Sequence, residues 1–216
     1  MAPRSRKPNR PTVAEHDFVT ESSETVYAGK ILALRLDEVQ MPRGAVARRE
    51  VVEHFGAVAV VALDDDDRVA MVYQYRHPVG RRLWEIPAGL LDVGGEAPAL
   101  TAARELHEEA GLVAENWSVL ADIVTSPGFS DESVRIFLAT GLSEIGRPEA
   151  EHEEADLTLD WLPLAAAVQQ VLAGEIVNSI AVAGILAAYA VSDRSALRPA
   201  DSPWTDLPHA FAARQD

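Results

Sequence analysis

Arg104-Glu105-Leu106-His107-Glu108-Glu109-Ala110-Gly111-Leu112 concentrates the residue types that could do chemistry. On a helix, Glu108 and Glu109 stand three and four residues beyond Glu105, so the three carboxylates share one side, with Glu105 about 5–6 Å from each of the others. Like charges so placed repel. Leu106 and His107 point elsewhere, which leaves Arg104, beside Glu105 and four residues before Glu108, to offset them. Two readings fit this spacing. One is a solvated helix face, since acidic runs of this kind recur on surface helices. The other is a divalent cation on oxygen ligands, and Mg²⁺ suits it because it takes few carboxylates and keeps room for water and phosphate. The chain has no Cys, which excludes a disulfide framework, a thiolate nucleophile and any Cys-ligated centre. A metal must therefore sit on oxygen or imidazole.

The acidic segment needs elements to hold it. Residues 96–109 have helical spacing, with Pro98 in the first turn and Gly111 where a terminating glycine belongs. Upstream, 56–63 is nearly all apolar and 69–76 is β-rich, which predicts two strands, the first covered on both faces. The Asp64–Asp67 run between them reads as a charged hairpin turn in preference to a metal site, because nothing else converges on it. Trp84-Glu85-Ile86-Pro87-Ala88-Gly89 reads as a third short strand ending in a turn, with Trp84 as core. Further strands are predicted at 117–124, 133–140 and 157–161, then helices at 164–173, closed by Gly174, and at 180–191, Ala-rich and largely buried.

From Phe18 to about Glu53, short β-branched segments at 25–28, 31–39 and 47–52 predict a small antiparallel layer. Three strands alone bury too little to be secure, so this layer must pack on something else, a second copy of the chain being one candidate. Arg4, Arg6, Lys7 and Arg10, with no acid among the first ten residues, mark a solvated basic tail. The last stretch is rich in Pro, has no period and is expected over the surface. The chain thus divides into a tail at 1–17, a β layer at 18–54, a main domain at 55–197 and a second tail at 198–216.

Composition narrows the function. With 19 basic against 34 acidic side chains the net charge is -15, which argues against nucleic acid as a partner. No run approaches the roughly 18 apolar residues of a membrane span, and the basic start is not followed by an apolar leader, so neither membrane nor export is expected and a cytoplasmic location is.

Pro87-Ala88-Gly89, Glu96 and the segment from Arg104 to Leu112 together resemble the box of the Nudix hydrolases, which cleave nucleoside diphosphates linked to another moiety. Six residues, one more than in the family pattern, separate Gly89 from Glu96, which puts an extra residue in the loop at 92–95. The resemblance implies an α+β chain with the Nudix fold, an α/β/α sandwich around a mixed sheet, preceded by the small antiparallel layer. It also implies that Glu105 and Glu109 hold the metal, Mg²⁺ or Mn²⁺, with Glu108 as a direct or water-mediated ligand and the Ala88 carbonyl as a further one. Arg104 would orient a ligating carboxylate, a task that suits a planar fork.

Outside the box, Pro127 stands sixteen residues beyond Gly111 within Ser126-Pro127-Gly128-Phe129-Ser130-Asp131-Glu132. With Arg49-Glu50-Val51-Val52-Glu53-His54, Gln74-Tyr75-Arg76 and Leu83-Trp84-Glu85, it resembles the ADP-ribose pyrophosphatase branch. That branch cuts ADP-ribose into AMP and ribose 5-phosphate as a homodimer whose N-terminal layers are exchanged between protomers. Carried over, the resemblance assigns Arg49 and Glu50 to the adenine end, Arg76 to the diphosphate, and Glu132, with Glu85 assisting, to the terminal ribose. The resemblance further implies that the base that activates water falls in Glu151-His152-Glu153-Glu154, on Glu154 with Glu153 as the alternative. Pyrophosphatases of the same fold acting on sugar nucleotides or dinucleoside polyphosphates are the alternatives, followed by a non-catalytic ADP-ribose sensor. The intact acidic helix and the lack of a basic DNA-binding domain weigh against the sensor.

Overall fold

The computed structural model describes residues 17–148 and 157–214. Its centre is strand β4 (Ala57–Ala62), every residue of which is buried. The alternation of a strand sends Val58, Val60 and Ala62 into one core and Ala57, Ala59 and Val61 into another. An all-apolar strand is therefore required here, since neither face meets water.

The remaining elements are arranged on that strand. Chain order runs β1 (Val19–Ala28), β2 (Leu32–Gln40), β3 (Val46–His54), β4, β5 (Arg68–Arg76), β6 (Arg81–Glu85), β7 (Ala88–Leu90), α1 (Pro98–Ala110), β8 (Leu112–Val124), β9 (Ser133–Glu144), β10 (Thr158–Pro163), α2 (Leu164–Ala173), α3 (Ser179–Ala190) and β11 (Arg198–Pro199). One sheet has the order β11-β8-β9-β4-β7, with β4 parallel to β9 and the other pairs antiparallel, so it is mixed. A second, antiparallel sheet has the order β10-β5-β6. Helix α1 closes one core through Ala102, Leu106 and Ala110. Helices α2 and α3 close the other through Ala167, Val168, Ala181 and Ile185, which completes the α/β/α sandwich.

Two predicted elements end differently. The segment from Trp84 to Gly89, read as one strand, is two: β6 pairs with β5, whereas β7 pairs with β4 in the other sheet. Pro87 marks the break; it has no N–H to donate, and its carbonyl accepts from Val60 N at 2.8 Å. The helix predicted from residue 96 starts at Pro98, where a missing N–H costs nothing, and leaves Glu96 in the preceding loop. Gly111 ends it at φ 68° as expected. The Asp run is a hairpin turn, with Asp64 Oδ1 accepting from the amides of Asp66 and Arg68.

The N-terminal segment forms a three-stranded antiparallel meander, β1-β2-β3, whose first strand is exposed along its whole length. The last stretch runs over the surface as a strap with a buried anchor. Arg198 and Pro199 pair with β8, Trp204 Nε1 donates to Ser133 Oγ at 3.2 Å, and Phe211 is fully buried against Phe55 at 4.6 Å. Among the described residues, no helix is long and apolar enough to cross a membrane.

Candidate active site

The acidic side chains of α1 divide between core and rim. Glu105 and Glu109 are buried while Glu108 is half-buried, so the solvated-face reading does not describe this helix. Glu109 Oε2 accepts from the Ala88 N–H at 3.0 Å, which joins the helix to the start of β7. Gly89, the next residue, makes room for Glu105: a Cβ there would lie 2.0 Å from Glu105 Cδ. Arg104 gathers the rim, donating from Nη1 to Glu105 at 2.7 Å and Glu108 at 2.9 Å, and from Nη2 to Glu96 at 3.3 Å. Glu96 also accepts from Thr101 Oγ1 at 2.9 Å. The extra loop residue thus leaves Glu96 in contact with the helix it precedes.

These contacts set the charge states. Burial pushes the Glu109 carboxyl up to about 8; the Ala88 N–H and Arg76 oppose this, and the charges on Glu105 and Glu85 reinforce it. Hydrogen bonds from Thr101 and Arg104 hold Glu96 below the usual carboxylate range. Burial disfavours the Arg104 charge, but the bond to Glu96 and the charges on Glu105 and Glu108 outweigh it and raise its pKa.

A second charged pair lies on β5 and β6. Arg76, at the end of β5, forks onto the buried Glu85 of β6, Nε to Oε1 at 3.0 Å and Nη2 to Oε2 at 2.7 Å. Gln74 Nε2 adds a bond to Glu85 at 3.3 Å. Sequence reasoning named Gln74 with Tyr75 and Arg76 but gave it no role, although it lies two residues before Arg76 and so on the same face of the strand.

A divalent cation fits this donor set. Two buried carboxylates lie beside Gly89, where a Cβ would already run into Glu105, so oxygen donors line a space that only a glycine leaves open. Among the described residues, no three acidic or imidazole side chains stand as a ready cage, and Arg104 and the Ala88 N–H take up carboxylate oxygens of α1. A site that adds water and phosphate oxygens to few carboxylates needs no such cage.

The other expected residues lie elsewhere. Glu132 accepts from Thr125 Oγ1 and stands 3.7 Å from His54 Nδ1, in the loop after β8. Arg49 and Glu50 are exposed on β3, opposite Asp37 and Leu36, outside the cluster around Glu109. Glu153 and Glu154 lie outside the described residues. Sequence reasoning also gave no role to Glu53, which is buried at the end of β3 and bonded by Arg35 and Arg214. Arg214 is 161 residues away, and no local pattern could have paired them.

Comparison with known proteins agrees with this geometry. A family model described as NUDIX domain matches residues 53–180, and one described as nucleoside diphosphate sugar hydrolase N-terminal domain matches 19–52. An ADP-ribose pyrophosphatase of Mycobacterium tuberculosis is 65% identical over 94% of this chain and 99% of its own. An ADP-ribose pyrophosphatase of Bacillus subtilis is 38% identical over 74% of this chain and 86% of its own. Among solved structures, an ADP compounds hydrolase superposes with a TM-score of 0.69 at 20% identity, covering 82% of this chain and 95% of that one.

Proposed function

The chain belongs to the Nudix family of hydrolases, and from that premise we propose that it cleaves the diphosphate of ADP-ribose with water, giving AMP and ribose 5-phosphate. Likeness along nearly the whole chain to the mycobacterial ADP-ribose pyrophosphatase carries this reading. Nudix ADP-ribose pyrophosphatases depend on a divalent metal, and Mg²⁺ or Mn²⁺ suits the oxygen donors present.

In this reading Glu105 and Glu109, with Glu108 at the rim and the Ala88 carbonyl, hold the metal. Once bound, a divalent cation neutralises phosphate charge and makes bound water more acidic. Arg104 keeps Glu105 and Glu108 oriented, which a guanidinium fork does better than a Lys point charge. Arg76 faces the diphosphate as a bidentate donor, and Glu85, buried and bonded by Arg76 and Gln74, holds that planar group in register in place of the assisting role at the ribose. Glu154, or Glu153 in its place, takes the proton of the attacking water. Glu132 receives the terminal ribose, and Arg49 and Glu50 the adenine end, within a homodimer in which the N-terminal layer of one protomer serves the site of the other. A cytoplasmic location, where nucleotide substrates are found, belongs with this reading. It also accounts for an acidic protein taking an anionic substrate, since the cations and a few arginines supply the attraction.

The match of residues 19–52 to a nucleoside diphosphate sugar hydrolase domain favours one wider reading, in which other nucleoside diphosphate sugars are also cut. The deciding experiment separates the products of ADP-ribose incubated with Mg²⁺, beside a panel of such nucleotides, with a chelator and Glu109→Gln as controls. AMP is expected with the native chain and free metal, at rates at least ~100-fold above either control, the loss typical when a charge-stabilising group is removed. Survival of ADP-ribose, or cleavage indifferent to metal, overturns the proposal.

A further inference from the structure

The N-terminal layer joins the main domain through two residues, Phe55 and Gly56, between the end of β3 and the start of β4. Three residues from the far end of the chain land on this junction. Arg214 donates from Nε to Glu53 Oε2 and from Nη2 to Glu53 Oε1, the latter at 3.0 Å. Phe211 packs edge-on against Phe55, and Pro208 lies so near Gly56 that a Cβ there would stand 3.1 Å from its ring. The strap that brings them is anchored upstream, where the buried Arg135 donates to the carbonyls of Ser202 and Pro203 at 2.6 and 3.0 Å.

The same end of β3 holds the loop that carries Glu132. Val52 N–H donates to Phe129 O at 2.7 Å, and Asp131 N–H donates to Val52 O at 3.1 Å. His54 N–H donates to Asp131 Oδ1 at 2.9 Å, and its ring stands beside Glu132. Residues 52–54 are therefore gripped by the strap through Glu53 and grip residues 129–132 in turn.

We infer that residues 208–214 are a positioning element for the loop that carries Glu132, with Arg214 acting through Glu53 to hold the end of β3 where it docks that loop. The inference rests on the proposed role of Glu132 at the terminal ribose. Its logic is that a buried carboxylate needs charged partners. Glu53 has two, Arg35 from β2 at 2.5 Å and Arg214 from the strap. Removing Arg214 leaves the charge paired by Arg35 and the Phe211 and Pro208 contacts in place, so the fold survives, yet the end of β3 loses its charged tie to the strap. The consequence is local: a looser Glu132 loop and weaker substrate binding, with the metal-binding helix untouched.

The test compares the full chain with Arg214→Ala and Arg214→Lys by amide hydrogen exchange and by steady-state kinetics on ADP-ribose. For Arg214→Ala, exchange at Val52, His54 and Asp131 is expected to rise ~10-fold while core amides of β4 and α1 are unchanged. KM is expected to rise ~10-fold with kcat within about twofold, the pattern of lost binding without lost chemistry. Arg214→Lys, which keeps the charge without the fork, should recover part of both effects. Unchanged exchange at the three amides, a uniform rise across the chain, or a fall in kcat at constant KM overturns the inference. If native protein leaves ADP-ribose intact, the functional reading falls separately, and the exchange data with kinetics on whichever nucleotide of the panel is cleaved decide the positioning role.

Discussion

At residue 89 a hydrogen stands where any other side chain would begin, and the metal-binding reading can be tested on that atom. A Cβ at Gly89 would come 2.0, 2.1 and 2.4 Å from Cδ, Oε1 and Cγ of Glu105. Those atoms belong to the end of a flexible side chain, so Gly89→Ala should keep its backbone and displace the Glu105 carboxylate. The variant should stay folded, with a melting temperature within a few degrees of native, about what 1 kcal/mol shifts in a domain of this size. Its hydrolysis should need ~10–100-fold more Mg²⁺ for half-maximal rate, the penalty usual for misdirecting a ligand. A metal titration of activity beside a thermal melt checks both parts, and an unchanged metal requirement removes Glu105 from the ligand set.

Elements set how closely such residues can approach, and α3 shows the limit. Gly184 faces the core so tightly that a Cβ would lie 2.9 Å from Val61 Cγ2 and 3.0 Å from Ile86 Cδ1. Alanine would gain roughly 0.5–1 kcal/mol of helix preference over glycine. Overpacking a filled core costs roughly 1–3 kcal/mol, and Val61 and Ile86 are both fully buried, with little room to yield. Gly184→Ala should therefore lose about 1 kcal/mol net in urea unfolding, and a gain in stability would show that the core can give way. Such packing also marks what could be read from the chain alone. Helix α2 and its Gly174 stop follow from periodicity, and the α1 carboxylates from i, i+3 and i+4 spacing, because both are local patterns. The split of Trp84 to Gly89 between two sheets was hidden, since a β pattern does not say which strand lies alongside. The extension of β8 back to Leu112 was hidden as well, since exposed Glu115 and Asn116 break the apolar alternation at that end. Arg76 and Glu85 came only through resemblance, and Glu53 with Arg214 through neither route, because their pairing depends on tertiary structure.

On the scale of the whole molecule, the N-terminal sheet presents apolar side chains to solvent. Val19, Val26, Tyr27 and Ile31 are 53–59% exposed, and Arg49 and Glu50 stand on the same sheet. A three-stranded layer with so much open apolar surface is poorly stabilised by itself, and a second protomer covering it is the arrangement proposed above. If each layer serves the opposite site, two differently damaged chains can repair one another. Arg49→Ala spoils only what a protomer offers its partner, and Glu109→Gln spoils only its own metal centre. In a mixed dimer the intact metal centre of the first then meets the intact layer of the second, while the other site carries both defects. Random reassociation makes half the dimers mixed, each with one good site of two, so activity below saturation should return to about a quarter of native. Sedimentation of the native chain at twice 23.3 kDa is the companion observation. If the layer acts on its own chain, the mixture stays as inactive as its components. That result would leave the metal chemistry intact and assign Arg49 and Glu50 to the protomer that carries them.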